Sequence, residues 1–453
     1  MRLMFRLCVL FLMLFNAALL SGQTAFSGTI SQIPPPVNGN VILEYWKDDG
    51  WKQLANLPIT PDGLFSSNIV FPHRGQYRLR LSSNPNKWGD FIINPSTLPQ
   101  AGISFKVSFN DLSSRPIRVL DDKENVAYVE LMAEYSAMLA RTEGLKDKPL
   151  EKLREEKNFY EKCGVIKEQH KGTFAGDVVA SIFYRITAPA WNVEPLVMDS
   201  VIAFNMDHAM DKVPFLNPEI LNHYALVRTL NEYYYPFNDR NKAPQYIDEV
   251  MMKGSGDDVV NAFLFKFILD KMIDYKCEEG LAYLITWYAT DCTENSLVSD
   301  ATKNLLKALE NCKPGNTIQS LTLPNLKGEM VSMESIYKKN KVTIIMFWRG
   351  NCSHCKEFEP MLEDIYARYH SKGLEVYAIG TDNEEKPWRD QATLNNSPWP
   401  SVYLARESRK DFNKKYPVPS TPTLIAVDEN GVILRRLIMR SKLEDVLKEL
   451  LPQ

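Results

Sequence analysis

The sequence predicts a multidomain chain of three consecutive folds: an N-terminal all-β sandwich, a middle all-α region and a C-terminal α/β domain. Three observations carry this. Apolar and polar side chains alternate in short runs between about Phe26 and Leu120, the period of a half-buried strand. Near Asp121 the apolar spacing lengthens to that of a helix and holds to about Asn311. From Val342 an apolar run leads into Cys352-Ser353-His354-Cys355 and then into a helical pattern. At 453 residues the chain is too long for one ordinary core, so roughly two to four domains are expected.

The first 25 residues read as a secretory leader. Arg2 and Arg6 form a basic start, Leu7 to Leu20 an apolar stretch, and Ser21 to Ala25 a small, polar exit suited to cleavage. An uncleaved anchor is the rival reading, although the stretch is short for a span of about 20 apolar residues. Cys8 lies too early to become a lipoprotein cysteine. The leader implies export to a periplasm or cell envelope, where disulfides persist and need managing. A net charge of −3 gives no electrostatic case for nucleic acid. Membrane association would come only through a retained N-terminus.

The β-region, 26–120, shows its period at Tyr77, Leu79 and Leu81, and again at Ile103, Phe105, Val107 and Phe109. Turn signals at Pro34-Pro-Pro36, Pro61-Asp-Gly63 and Pro95 break it into short strands. In the helical region, 121–312, Tyr128, Leu131, Met132, Tyr135, Met138 and Leu139 share one face. Further helices are expected over Asp258 to Lys276, Gly280 to Ala289 and Asp300 to Leu309, with Ser255 or Asp257 capping the first of these. The aromatic run Tyr233 to Phe237 reads as core or domain interface. Cys163, Cys277, Cys292 and Cys312 allow three full pairings, and buried unpaired thiols are the favoured reading.

The last domain, 315–453, opens with a hairpin pair, Ile318 to Leu323 and Met330-Val331. Thr343 to Phe347 is apolar throughout, as a strand covered on both faces would be. A helix over Ser353 to His370, a strand over Leu374 to Ile379, a helix over Glu384 to Leu394 and a strand over Val402 to Leu404 follow. Arg409 to Tyr416 reads as helix. Thr423 to Val427 and Val432 to Ile438 read as strands joined at Asn430-Gly431, and Lys442 to Leu451 as a closing helix. The acidic run Asp382, Glu384, Glu385 reads as a solvated loop.

The chemistry lies in the Cys-x-x-Cys. A helix N-terminus offers free N–H groups and partial positive charge, which favour a thiolate at Cys352. Cys355 lies one turn further, within disulfide reach. The first sulfur attacks a disulfide and the second resolves the mixed product. His354 between them can donate a hydrogen bond or charge to the thiolate, making the pair more oxidising. Zinc would need a fourth ligand beyond Cys352, His354 and Cys355. Haem attachment would need histidine where Lys356 stands. No metal and no cofactor beyond the Cys352–Cys355 disulfide is expected.

Phe347-Trp348 before the Cys-x-x-Cys, Lys356 after it, Pro360, and Ser420-Thr421-Pro422-Thr423 together resemble the thioredoxin fold. The hairpin before Val342 and the extra helix–strand unit, about Glu384 to Leu404, resemble the TlpA/ResA-like thiol–disulfide oxidoreductases of the bacterial envelope. The upstream layout, with Glu124-Asn125 opening the helical part, is similar to multidomain forms from Bacteroidetes. The resemblance implies that Cys352 attacks and Cys355 resolves, that Pro422 is cis beside them with the Thr421 backbone free to pair with substrate, and that Trp348 packs at the site. Met346 departs from the family, since a carboxylate or polar residue often stands six positions before the first cysteine. Asn351 replaces a frequent aromatic. Glu357 or Glu359 would relay a proton only through solvent and reads as helix surface.

These readings imply an exported enzyme that exchanges disulfides, reduction being favoured narrowly over oxidation or isomerisation. Protein thiol or disulfide substrates and an envelope redox partner would be its partners, with homo-oligomerisation left open. The alternative is a partner-binding envelope protein in which the C-terminal domain serves as scaffold.

Overall fold

The computed structural model describes residues 23–34, 39–99, 101–112, 115–117, 122–185, 204, 207–234, 242–294, 297–412, 414–418 and 420–451. The leader up to residue 22, Pro35-Pro36, the aromatic run from Tyr235 to Phe237 and the Cys292 side chain lie outside them. The chain falls into two compact units, 1–238 and 239–453. The helical region is divided between them. Among the described residues no helix is long and apolar enough to cross a membrane.

In the first unit the described strands are β1 (Thr24–Ser31), β2 (Asn40–Lys47), β3 (Gly50–Pro58), β4 (Leu64–Ile69), β5 (Gly75–Leu81), β6 (Trp88–Ile93), β7 (Ile103–Ser108) and β8 (Arg115–Pro116). They form two sheets, ordered β4-β1-β7 and β3-β2-β5-β6-β8. Phe26, Phe65 and Phe105 from one sheet meet Leu43, Tyr77, Leu79 and Phe91 from the other in a single core. This is the expected sandwich, and period-two alternation builds it because every second side chain reaches the shared interior.

Helices Lys123–Glu143 and Pro149–Gln169 follow, and the start of the first is bolted to the sandwich. The Asn125 side chain accepts from the Ile92 N–H and donates to the Ile92 carbonyl, both at 2.8 Å. The Glu124 carboxylate accepts from Arg74 at 2.7 Å, Asn94 at 2.9 Å and the Phe174 N–H at 2.5 Å. Leu139, expected on the inner face, is exposed, whereas Met138 before it and Thr142 after it are buried.

The second unit begins with helices Ala243–Gly254, Asp258–Asp274, Glu278–Glu294 and Asp300–Asn311. Asp257 caps the second, accepting from Val259 and Val260 N–H at 3.0 and 2.9 Å. Strands β9 (Thr322–Pro324) and β10 (Met330–Ser332) form a small hairpin. The central sheet contains β11 (Val342–Trp348), β12 (Leu374–Gly380), β13 (Ser401–Tyr403), β14 (Thr423–Asp428) and β15 (Ile433–Arg435) in the order β13-β12-β11-β14-β15. β11, β12 and β13 are parallel, and β14 and β15 antiparallel. Ile344, Met346 and Trp348 face one core with Phe358 and Leu362 of helix Ser353–Tyr369. Ile345 and Phe347 face a second core with Phe412 and Tyr416. Coverage of both faces explains the unbroken apolar run.

Two elements differ from expectation. The strand after Gly431 ends at Arg435 rather than Ile438, since Leu437 turns into the left-handed region at φ 49°. Helix Arg409–Phe412 stops short of Tyr416.

Candidate active site

Strand β11 ends at Trp348, and after three intervening residues Cys352 stands as the N-cap of helix Ser353–Tyr369. The connecting turn is held tightly. The Gly350 N–H donates to Asp382 Oδ2 at 2.7 Å, and the Asn351 N–H to Oδ1 at 3.4 Å. A Cβ on Gly350 would come within 2.0 Å of the Pro387 carbonyl oxygen, so the turn reaches this position only because the residue is glycine. Asp382, expected in a solvated loop, is 1% exposed. It lies two residues beyond β12, and the sheet register sets Trp348 opposite Gly380. No local signal marks it, because its partner stands 32 residues away in sequence.

Cys352 is half-buried and Cys355 buried, both as free thiols. In its thiol form Cys352 donates to the Thr421 carbonyl at 3.4 Å, and the Thr421–Pro422 peptide is cis. Burial alone would raise the Cys352 pKa. Hydrogen bonding from the Thr421 and Cys355 side chains, together with the backbone N–H groups of Cys355 and His354, outweighs burial and lowers it. Burial pushes Cys355 the other way, up to about 12. One sulfur is therefore poised as thiolate and the other held as thiol. That difference suits an attacking and a resolving group.

The other predicted residues fall as follows. Trp348 is buried in the core that contains Cys355, and its indole N–H has no hydrogen-bond partner among the described residues. Met346 joins the same core. The His354 ring is exposed and meets Glu357 Oε2 at 3.4 Å. His354 lowers the Cys352 pKa through its backbone N–H, where the sequence suggested its imidazole. Glu359, expected at the helix surface, is half-buried and accepts from Ser397 at 2.7 Å and from Asn395. Cys163, Cys277 and Cys312 are buried, and neither Cys163 nor Cys312 is in a disulfide. Among the described residues no cluster of three or more His, Cys, Asp or Glu is arranged to hold a metal.

A thioredoxin-type sheet carrying a Cys-x-x-Cys at the first strand–helix junction, opposite a cis-proline, defines a class of dithiol protein. The thioredoxin-like family model matches residues 340–433. The chain is 30% identical over 119 residues to the thioredoxin-like protein YneN of Bacillus subtilis, covering 26% of this chain and 68% of that one. It belongs to the thioredoxin-like family through this C-terminal domain. It is also 22% identical over 146 residues to the thiol-disulfide oxidoreductase ResA of Bacillus thuringiensis, covering 32% of this chain and 82% of the relative. The thioredoxin domain of a thiol-disulfide oxidoreductase from Bacteroides vulgatus is similar over 31% of this chain and 98% of its own length, with 27% identity and a TM-score of 0.29.

Proposed function

We propose that this protein is an exported thiol–disulfide oxidoreductase that reduces protein disulfides through Cys352 and Cys355. The observation that carries the reading is the opposite displacement of the two thiols, Cys352 lowered and Cys355 raised to about 12. In the first step the Cys352 thiolate attacks one sulfur of a substrate disulfide. A Cys352–substrate bond forms, and the other substrate sulfur leaves as thiolate and takes a proton. In the second step Cys355 gives up its proton and its sulfur attacks Cys352. The Cys352–Cys355 bond forms, the substrate leaves fully reduced, and two electrons have passed to it. An envelope dithiol partner then restores the reduced pair.

One feature supports reduction over oxidation. The exposed His354 ring faces the Glu357 carboxylate, which offsets any positive charge it carries. Export rests on the N-terminal leader pattern. The first strand starts at Thr24, so cleavage just before that residue would leave the sandwich whole.

Insulin reduction tests the reading. Wild type is expected to precipitate insulin with a small-thiol donor, Cys352→Ser to be inactive, and Cys355→Ser to accumulate a mixed disulfide. Equal, null activity of wild type and Cys352→Ser would overturn it in favour of a binding role. The reduction potential decides direction: a value near about −270 mV marks a reductant and one near about −120 mV an oxidant.

A further inference from the structure

A groove of about 600 Å³ adjoins the cis Thr421–Pro422 peptide. The Cys-x-x-Cys helix lines it through His354 and Glu357, the loop after β15 through Ile438 and Arg440. Asp274 and Lys276, at the junction of helices Asp258–Asp274 and Glu278–Glu294, line it as well. The helical part of this unit thus contributes to a cleft next to the candidate site.

Lys276 is set there against its backbone preference. The Cys277 N–H bonds to the Met272 carbonyl at 2.9 Å and the Lys276 N–H to the Ile273 carbonyl at 3.1 Å. This is a helix-ending turn that normally takes glycine. Lys276 adopts the required left-handed conformation, φ 52°, despite its Cβ. Leu437, in the loop after β15, does the same at φ 49°. Two strained residues thus occur on segments that flank one groove, a distribution typical of ligand clamps. The junction and the loop are also locked together: Arg436 grips Glu278 at 2.7 and 2.9 Å and donates to the Leu309 carbonyl.

The Lys276 amine has no hydrogen-bond partner among the described residues. Desolvation lowers its pKa and the Asp274 carboxylate only partly offsets this, so a further carboxylate arriving beside it would recover charge that burial now opposes. The other groove cation is committed, Arg440 donating to the His354 carbonyl at 2.7 Å and lying 3.9 Å from Glu357. The flexible lysine stem lets the amine follow an incoming group.

We propose that Lys276 is a specificity-determining residue, supplied by the helical region, that selects disulfide substrates bearing an acidic side chain next to the reacting cysteine. This rests on the redox reading above. The test uses the full chain and three disulfide-linked peptides identical except for Glu, Gln or Lys two residues from the cysteine. Wild type should favour the Glu peptide over the Gln peptide on the order of tenfold, mainly in KM, the scale of one charge-assisted hydrogen bond. Lys276→Asn, which tolerates the left-handed turn, should lose that preference. Lys276→Glu should reverse it in favour of the Lys peptide, a gain that damaged folding cannot produce. Equal rates of wild type on all three peptides would overturn the assignment while leaving the oxidoreductase intact. Inactivity of wild type toward these peptides and toward neutral 2-hydroxyethyl disulfide would overturn the redox reading itself.

Discussion

At the scale of single residues the chemistry depends on small, separable terms. The lowered Cys352 pKa keeps thiolate present as pH falls below the 9.0 of an ordinary thiol. Alkylation by iodoacetamide should therefore titrate with a midpoint below that value in Cys355→Ser, and a midpoint at or above it would contradict the site geometry. Asp382 is a positioning residue, since it touches the turn and not the sulfur. Asp382→Ala removes two hydrogen bonds to a charged acceptor and should cost about 2–3 kcal/mol of stability. The Cys352 alkylation midpoint should rise with it, because the turn that aims the helix N-terminus loosens. A destabilised variant with an unmoved midpoint would make the role purely structural. Lys276→Gly relieves a left-handed side chain and should raise stability by about 1 kcal/mol, read as a higher unfolding midpoint; a lower one would mean that the stem's packing outweighs the backbone term.

At the scale of elements, polar groups buried between helix and sheet fix the first unit. Asn125 closes two hydrogen bonds on Ile92, so Asn125→Ala leaves a buried N–H and C=O unpaired and should cost about 2–4 kcal/mol in urea unfolding. Nearby, Tyr128 donates to Asp90 at 2.6 Å, and the ring of His223 accepts the Ala225 N–H at 3.1 Å. That acceptor nitrogen cannot take a proton in place, and burial lowers the His223 pKa from 6.5 to about 3. The unfolded chain therefore binds a proton below pH 6.5 that the folded one refuses until about pH 3. Stability should fall across that window as pH drops, by about 1.4 kcal/mol per unit. Burial raises Asp90, which opposes this in its own range, so the measurement is the difference between wild type and His223→Gln in melts at pH 7 and 4. Equal acid sensitivity of the two would exclude His223 as the cause.

At the scale of the molecule, the second unit is more than a thioredoxin domain. Arg436, in the β15 loop, spends its guanidinium on Glu278 and the Leu309 carbonyl, and Cys312 donates to the Lys415 carbonyl at 3.3 Å. A fragment of residues 315–453 lacks those partners and one wall of the groove. It should melt lower than residues 239–453 and reduce small disulfides without the peptide charge preference. Identical melting points and identical preference in the two fragments would show the helices to be bystanders.

Local chemistry was legible in the sequence where it is repeated or adjacent. Strand alternation, helical faces, the Asp257 cap, the Cys-x-x-Cys and the proline loop each depend on residues within a few positions of one another. Their periods and spacings therefore announced the three fold classes and the paired cysteines at the strand–helix junction. Relationships across long separations needed the folded chain. The Asp382 brace, the gripping of Glu278 by Arg436 and the approach of Lys276 to the groove all join groups whose proximity is set by sheet register and packing. Those are global properties, and no neighbouring residue encodes them.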